Sequence, residues 1–72
     1  MPHFSIEAED QLERNGIPME EASADLAAAR EMPGVPPGKL ILVGRLAMYE
    51  CQRRRIFGQV DVIVIKVFVR HV

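Results

Sequence analysis

Few side chains in this sequence can start a reaction. Pro2 stands directly ahead of a short alternating stretch, His3-Phe4-Ser5-Ile6-Glu7-Ala8-Glu9. If Met1 is removed, the chain opens with a free secondary amine at the end of that stretch. Such an amine can serve as a base. Arg53-Arg54-Arg55 is a run of three cations, which reads first as a solvated loop or an ion pair between subunits and could also hold phosphates. Cys51 has basic neighbours that could lower its thiol pKa. No histidine lies near it in sequence, so a catalytic thiol is not expected. His3 and His71 read as surface strand residues. One cysteine and two distant histidines make no zinc set, and no cofactor is expected.

The elements that must position these groups fit in one domain, residues 1–72. A chain this short buries a modest fraction of its surface and usually needs a disulfide, a metal or a partner subunit. One cysteine excludes a disulfide within the chain, so oligomerisation is the device left, and 49% apolar residues can support it. A lone cysteine suits a reducing compartment, no signal-peptide pattern opens the chain, and the run Val62 to Ile65 is too short to cross a membrane. A soluble cytoplasmic protein without a membrane partner is the expectation. Charge is unevenly spread. Residues 1–38 carry eight acids against two arginines, a net −6, and residues 39–72 carry seven bases against two acids, a net +5. The halves could attract each other, or the basic half could face an anion.

Alternation over His3 to Glu9 predicts a half-buried strand, which tolerates proline at its start. Asp10 to Pro18 contains Asn15-Gly16 and reads as a loop, with one helical turn at most. Pro18 to Met32 reads as a helix: Glu20 and Glu21 sit in the first turn, and Met19, Ala22, Leu26 and Ala29 form an apolar stripe. Pro33-Gly34 stops it. Val35-Pro36-Pro37-Gly38 is a stiff connector. Lys39 to Val43 predicts a strand continuing through Arg45 to Tyr49. Glu50 to Arg55 is polar and basic, and Gly58-Gln59 marks a turn. Val60 to Val69 is the strongest strand signal, apolar on both faces and so expected to be central or covered by another subunit. The fold class is α+β. A single βαβ unit with parallel strands carries an antiparallel extension made of the last two strands.

Met1-Pro2-His3-Phe4-Ser5-Ile6-Glu7, the alanine-rich helix, the connector Gly34-Val35-Pro36-Pro37 and the late Gly58-Gln59-Val60-Asp61 together resemble the tautomerase superfamily. The likeness is to its 5-carboxymethyl-2-hydroxymuconate isomerase-like and 4-oxalocrotonate tautomerase-like groups, and it spans most of the chain. It implies a tautomerase-like fold and an isomerase in which Pro2 is the general base. The substrate would be a small keto-enol carboxylate. The first of those groups is about twice this length and has a second βαβ unit. The shorter group has one unit and assembles as a hexamer, which implies a homo-oligomer here, a trimer or hexamer. The family places arginines just after the connector, where this chain has Lys39-Leu40-Ile41-Leu42-Val43, and the first arginine is Arg45.

The implied mechanism moves a proton through a dienol. An α-amino group titrates near ~8 in peptides, so its pKa must fall for work at neutral pH. Phe4 and the late apolar strand could supply a dry wall. Arg45, or one of Arg53, Arg54 and Arg55 from a neighbouring subunit, could supply the cation that binds the substrate carboxylate and polarises the enol. Two other readings stand beside this one. The first is a non-catalytic α+β interaction and oligomerisation module whose last strand mediates assembly. The second is a small nucleic-acid binder acting through Arg53-Arg54-Arg55. The acidic first half and a lack of exposed aromatics argue against the latter.

Overall fold

The computed structural model describes residues 3–70. The chain runs β1 (His3–Phe4), α1 (Ile6–Arg14), α2 (Met19–Ala27), β2 (Arg30–Glu31), β3 (Leu40–Val43), β4 (Ala47–Ile56) and β5 (Gln59–Val69). It is an α+β fold with a five-stranded mixed sheet of order β1-β5-β4-β3-β2. β1 is parallel to β5, and every other pair is antiparallel. The parallel pair expected from the sequence therefore exists, but the first strand pairs with the last one and not with the strand that follows the helices. The antiparallel pairing of the last two strands is as expected, and β5 is an interior strand.

The first strand is shorter than alternation predicts. Ser5 ends it by acting as an N-cap: its hydroxyl accepts from the Ala8 amide at 3.1 Å and donates to the Ile65 carbonyl at 2.8 Å. Glu7 and Glu9 then fall in the first helical turn, where the dipole favours acids. Ile6 is 87% exposed, so the apparent stripe Phe4, Ile6, Ala8 is not a buried face. The pair that is buried, Ala8 and Leu12, has the i, i+4 spacing of a helix. Asp10 to Arg14, expected as loop, completes α1, and the Asn15-Gly16 turn leads to α2.

The second helix is also shorter than its composition suggests. It stops at Ala27, and Arg30 and Glu31 pair with Val43 and Leu42, while the Met32 amide donates to the Ile41 carbonyl. Ladder hydrogen bonds thus override the helix preference of the alanines. The strand predicted from Lys39 through Tyr49 is split at Gly44, which turns the chain from β3 into β4.

Both helices pack on one face of the sheet. Cross-strand rows Leu40–Cys51–Val64 and Leu42–Tyr49–Val67 meet Ala8, Leu12, Ala22 and Leu26 in a single core. Ala8 and Ala22 have no bulk to hold the helices off. Cys51 pairs with Val64 while Glu50 pairs with Lys66, so Ile65 is an extra residue, a β-bulge. The bulge lets Val64 and Val67, three positions apart, both turn to the helices. Beside it β1 has already ended, and the Gln11 side chain accepts from the Val67 amide at 2.7 Å. That closes a backbone donor which a longer first strand would have taken.

Candidate functional site

Pro2, the expected general base, lies outside the described residues. The first described residue, His3, is in register with Ile63, which in turn pairs with Gln52. β1 therefore starts level with the beginning of the arginine run. Arg45 sits at the opposite end of the sheet, in the turn before Ala47, whose partner is Val69. From Ile63 to Val69 a strand advances about 20 Å. One copy of the chain does not bring Arg45 to the start of β1, whereas Arg53 stands one residue from the Gln52–Ile63–His3 row.

The turn that carries Arg45 is built around a carboxylate. Asp25, at the end of α2, accepts from the Arg45 amide at 2.7 Å, the Leu46 amide at 3.1 Å and the Tyr49 hydroxyl at 2.7 Å. Tyr49 is fully buried, so this bond satisfies its only polar atom. Burial pushes the Asp25 carboxyl up, but the Tyr49 hydroxyl and the Arg45, Leu46 and Ala47 amides outweigh it and hold the group below its ordinary value. Burial, and then Asp25, raise the Tyr49 phenol. Gly44 has no side chain for a close reason: a Cβ there would strike the Asp25 carboxylate. The Arg70 guanidinium donates to the Gly44 carbonyl at 3.1 Å. Arg30, Arg45 and Arg70 rim an open groove of about 820 Å³ that also contains Glu21 and Asp25. Arg45 is thus an exposed cation in the turn beside the carbonyl end of α2, where the helix dipole favours positive charge.

Cys51 is fully buried, and burial, with Glu50 second, pushes its thiol up to about 11. Its neighbours in sequence do not activate it: Cys51 turns into the core, alternation turns Gln52 to the other face, and Arg53 lies past the end of the core, exposed.

The feature the sequence least discloses is the second face of the sheet. Among the described residues neither helix covers it. Its rows are Arg30–Val43–Met48–Phe68, Ile41–Glu50–Lys66 and Gln52–Ile63–His3. Ile41, Val43, Met48 and Ile63 are half-buried by their neighbours alone, and Phe68 is 51% exposed. Glu50 and Lys66 lie side by side between the apolar rows. The double-sided apolar pattern of Val60 to Val69 was the signal for this face, since one of its two sides has to lie away from the helices.

No protein-family model, curated protein or solved structure matches the chain.

Proposed function

We propose that this chain is a self-associating α+β module whose copies pack through the uncovered face of the sheet. The observation that carries this reading is the apolar row Val43–Met48–Phe68, flanked by Ile41 and Ile63 and covered by neither helix. Size supports it. The chain exposes 5436 Å², against about 4,500 Å² for a compact monomer of its mass. Part of the excess comes from the projecting β4–β5 hairpin, and the surface leaves room for the roughly 800 Å² that one partner buries in an interface of standard size. The occupant is a second copy because the face is self-complementary in charge. A two-fold stacking can set Glu50 of each copy toward Lys66 of the other, and apolar rows can meet apolar rows. Edge-to-edge growth is disfavoured, since the edge strands β1 and β2 have only two residues each. The geometry therefore supports face-to-face pairing, and the trimer or hexamer implied by the tautomerase likeness would need a further contact. Phe68→Glu places an unpaired charge on this face while leaving the core untouched. It should dissociate the assembly with its circular dichroism spectrum retained. A wild-type chain that is monomeric throughout the micromolar range would refute the reading.

A second reading keeps the tautomerase chemistry, with Pro2 as general base toward a keto-enol carboxylate. It is supported by the register that starts β1 beside Arg53, which makes the arginine run a nearer cation than Arg45. The observed partner of β1 departs from a single βαβ unit, so the reading rests on Pro2. Its test is the intact mass of the untagged chain, followed by tautomerisation of phenylenolpyruvate. Retained Met1, or equal rates for wild type and Pro2→Ala, would end it.

A further inference from the structure

The hairpin of β4 and β5 outruns the core. Burial on β4 ends at Cys51 and on β5 begins at Val64. Between them, Gln52, Arg53, Arg54, Arg55, Phe57, Gly58, Gln59 and Val60 are all exposed. The tip joins the Ile56–Gln59 pair through Phe57 and Gly58, with φ of 50° and 78°. Two successive positive φ values make this a two-residue turn of the I′ type, which ordinarily takes Asn-Gly or Asp-Gly. A phenylalanine in that conformation is strained, and its ring touches no core residue, being fully exposed. Nothing within the fold explains an aromatic there.

The arginines are arranged in a particular way. Consecutive strand residues point to opposite faces, so Arg53 and Arg55 project from the helix side of the ribbon and Arg54 from the other. Only one ion pair involves them among the described residues, Arg53 with Glu31, and it is long at 3.8 Å and exposed. Asp61 lies across from Arg54. A cationic patch meant for a flat anionic surface would use one face. Cations on both faces of a ribbon, with an apolar ring at its tip, suit insertion between two walls of phosphate.

We infer that this hairpin is a DNA-binding arm that enters the major groove of B-form duplex, Arg53 and Arg55 facing one phosphate wall, Arg54 the other, and Phe57 the groove floor. The dimensions agree. Sheets pack about 10 Å apart face to face, which sets the thickness of a ribbon with its side chains, and the major groove, about 12 Å wide, admits a two-stranded ribbon. The A-form major groove of RNA is too deep and narrow for it. Two grounds against nucleic acid that composition suggests do not hold in the fold. An exposed aromatic is present at the tip. Glu31 reaches the arm in its long pair with Arg53, but the acids on the helices lie away from it: α1 begins beside Val64 and has reached Val67 by Gln11, and α2 ends at the β3–β4 turn, at the far end of the sheet. The arm carries a net positive charge, Arg53, Arg54 and Arg55 against Asp61, which favours association with a polyanion. This inference does not rest on self-association, since the apolar row Val43–Met48–Phe68 is at the other end of β5.

The test is fluorescence anisotropy of the full chain with a short mixed-sequence DNA duplex over a salt series, beside the same sequence as single-stranded DNA and as duplex RNA. Micromolar binding to duplex DNA is expected, with log K falling against log salt at a slope of roughly −2 to −3, as two or three phosphate contacts require. The triple variant Arg53→Gln, Arg54→Gln, Arg55→Gln should lose at least tenfold and flatten the slope. Phe57→Asn installs the preferred turn residue, so the fold should become more heat-resistant while duplex binding drops several-fold with the slope unchanged. Equal binding by wild type and the triple variant overturns the inference. So does a preference for single strands or duplex RNA, or binding to polyglutamate in place of duplex DNA, which would assign the arm to an acidic protein.

Discussion

At the scale of single residues, the contact that fixes the β3–β4 turn is the most exacting in the molecule. Asp25 ties α2 to the Arg45 and Leu46 amides and to the buried Tyr49 hydroxyl, and it does so in space that only a glycine at position 44 leaves open. Gly44→Ala must displace that carboxylate or the turn. It should destabilise the fold by about 1–3 kcal/mol, the usual range for forced overpacking, as read by urea denaturation. The pH dependence has a definite sign. Asp25 is held below its ordinary carboxyl value of 3.8, so it contributes stability above that pH and loses it as pH falls through the folded-state value. The gap in melting temperature between wild type and Asp25→Asn should therefore be constant near neutrality and shrink below about pH 4. A gap that widened in acid would contradict the assignment. Cys51 supplies a separate check. With its thiol buried and pushed up to about 11, it should resist a neutral-pH disulfide reagent in native protein and react fully in urea. Rapid labelling of the folded chain would show that β4 does not hold Cys51 inside.

At the scale of elements, the strands with strong β-branched content were readable in the sequence and the element ends were not. Val60 to Val69 announces β5 and its interior position, and the α+β class follows from one alanine-rich helix among strands. The first helix was hidden because Phe4, Ile6 and Ala8 satisfy a period of two while Ala8 and Leu12 satisfy the helical step. Ser5 decides between them through its cap, and its amide and hydroxyl donate to the Val64 and Ile65 carbonyls of β5, about sixty residues away. The partner of β1 is equally a long-range property, since no local pattern says which strand will lie beside it. Of the candidate sites, the basic run was visible, but its exposure on a projecting ribbon needed the register with β5, and the uncovered sheet face needed both helices placed on one side. Ser5→Ala removes the cap and should cost about 1 kcal/mol in chemical denaturation. No loss would mean that α1 is set by the packing of Ala8 and Leu12 alone.

At the scale of the whole molecule, two helices cover one face of a sheet that has two apolar faces. A single copy satisfies the helix side with a small core that includes alanines, leucines, Tyr49 and Cys51, and leaves Val43 and Met48 half-buried and Phe68 exposed. Burying that row against itself removes the Phe68 ring from water without using the short edge strands. The positive arm lies at the far end of β5 from that row, so assembly would leave it free to act. Sedimentation equilibrium of the untagged chain across the micromolar range tests this account most directly, run beside Phe68→Glu. The wild type should fit a reversible association at twice the chain mass, and the variant a folded monomer. A wild-type chain that sediments as a monomer at every concentration, or a variant that associates as tightly as wild type, would contradict the account.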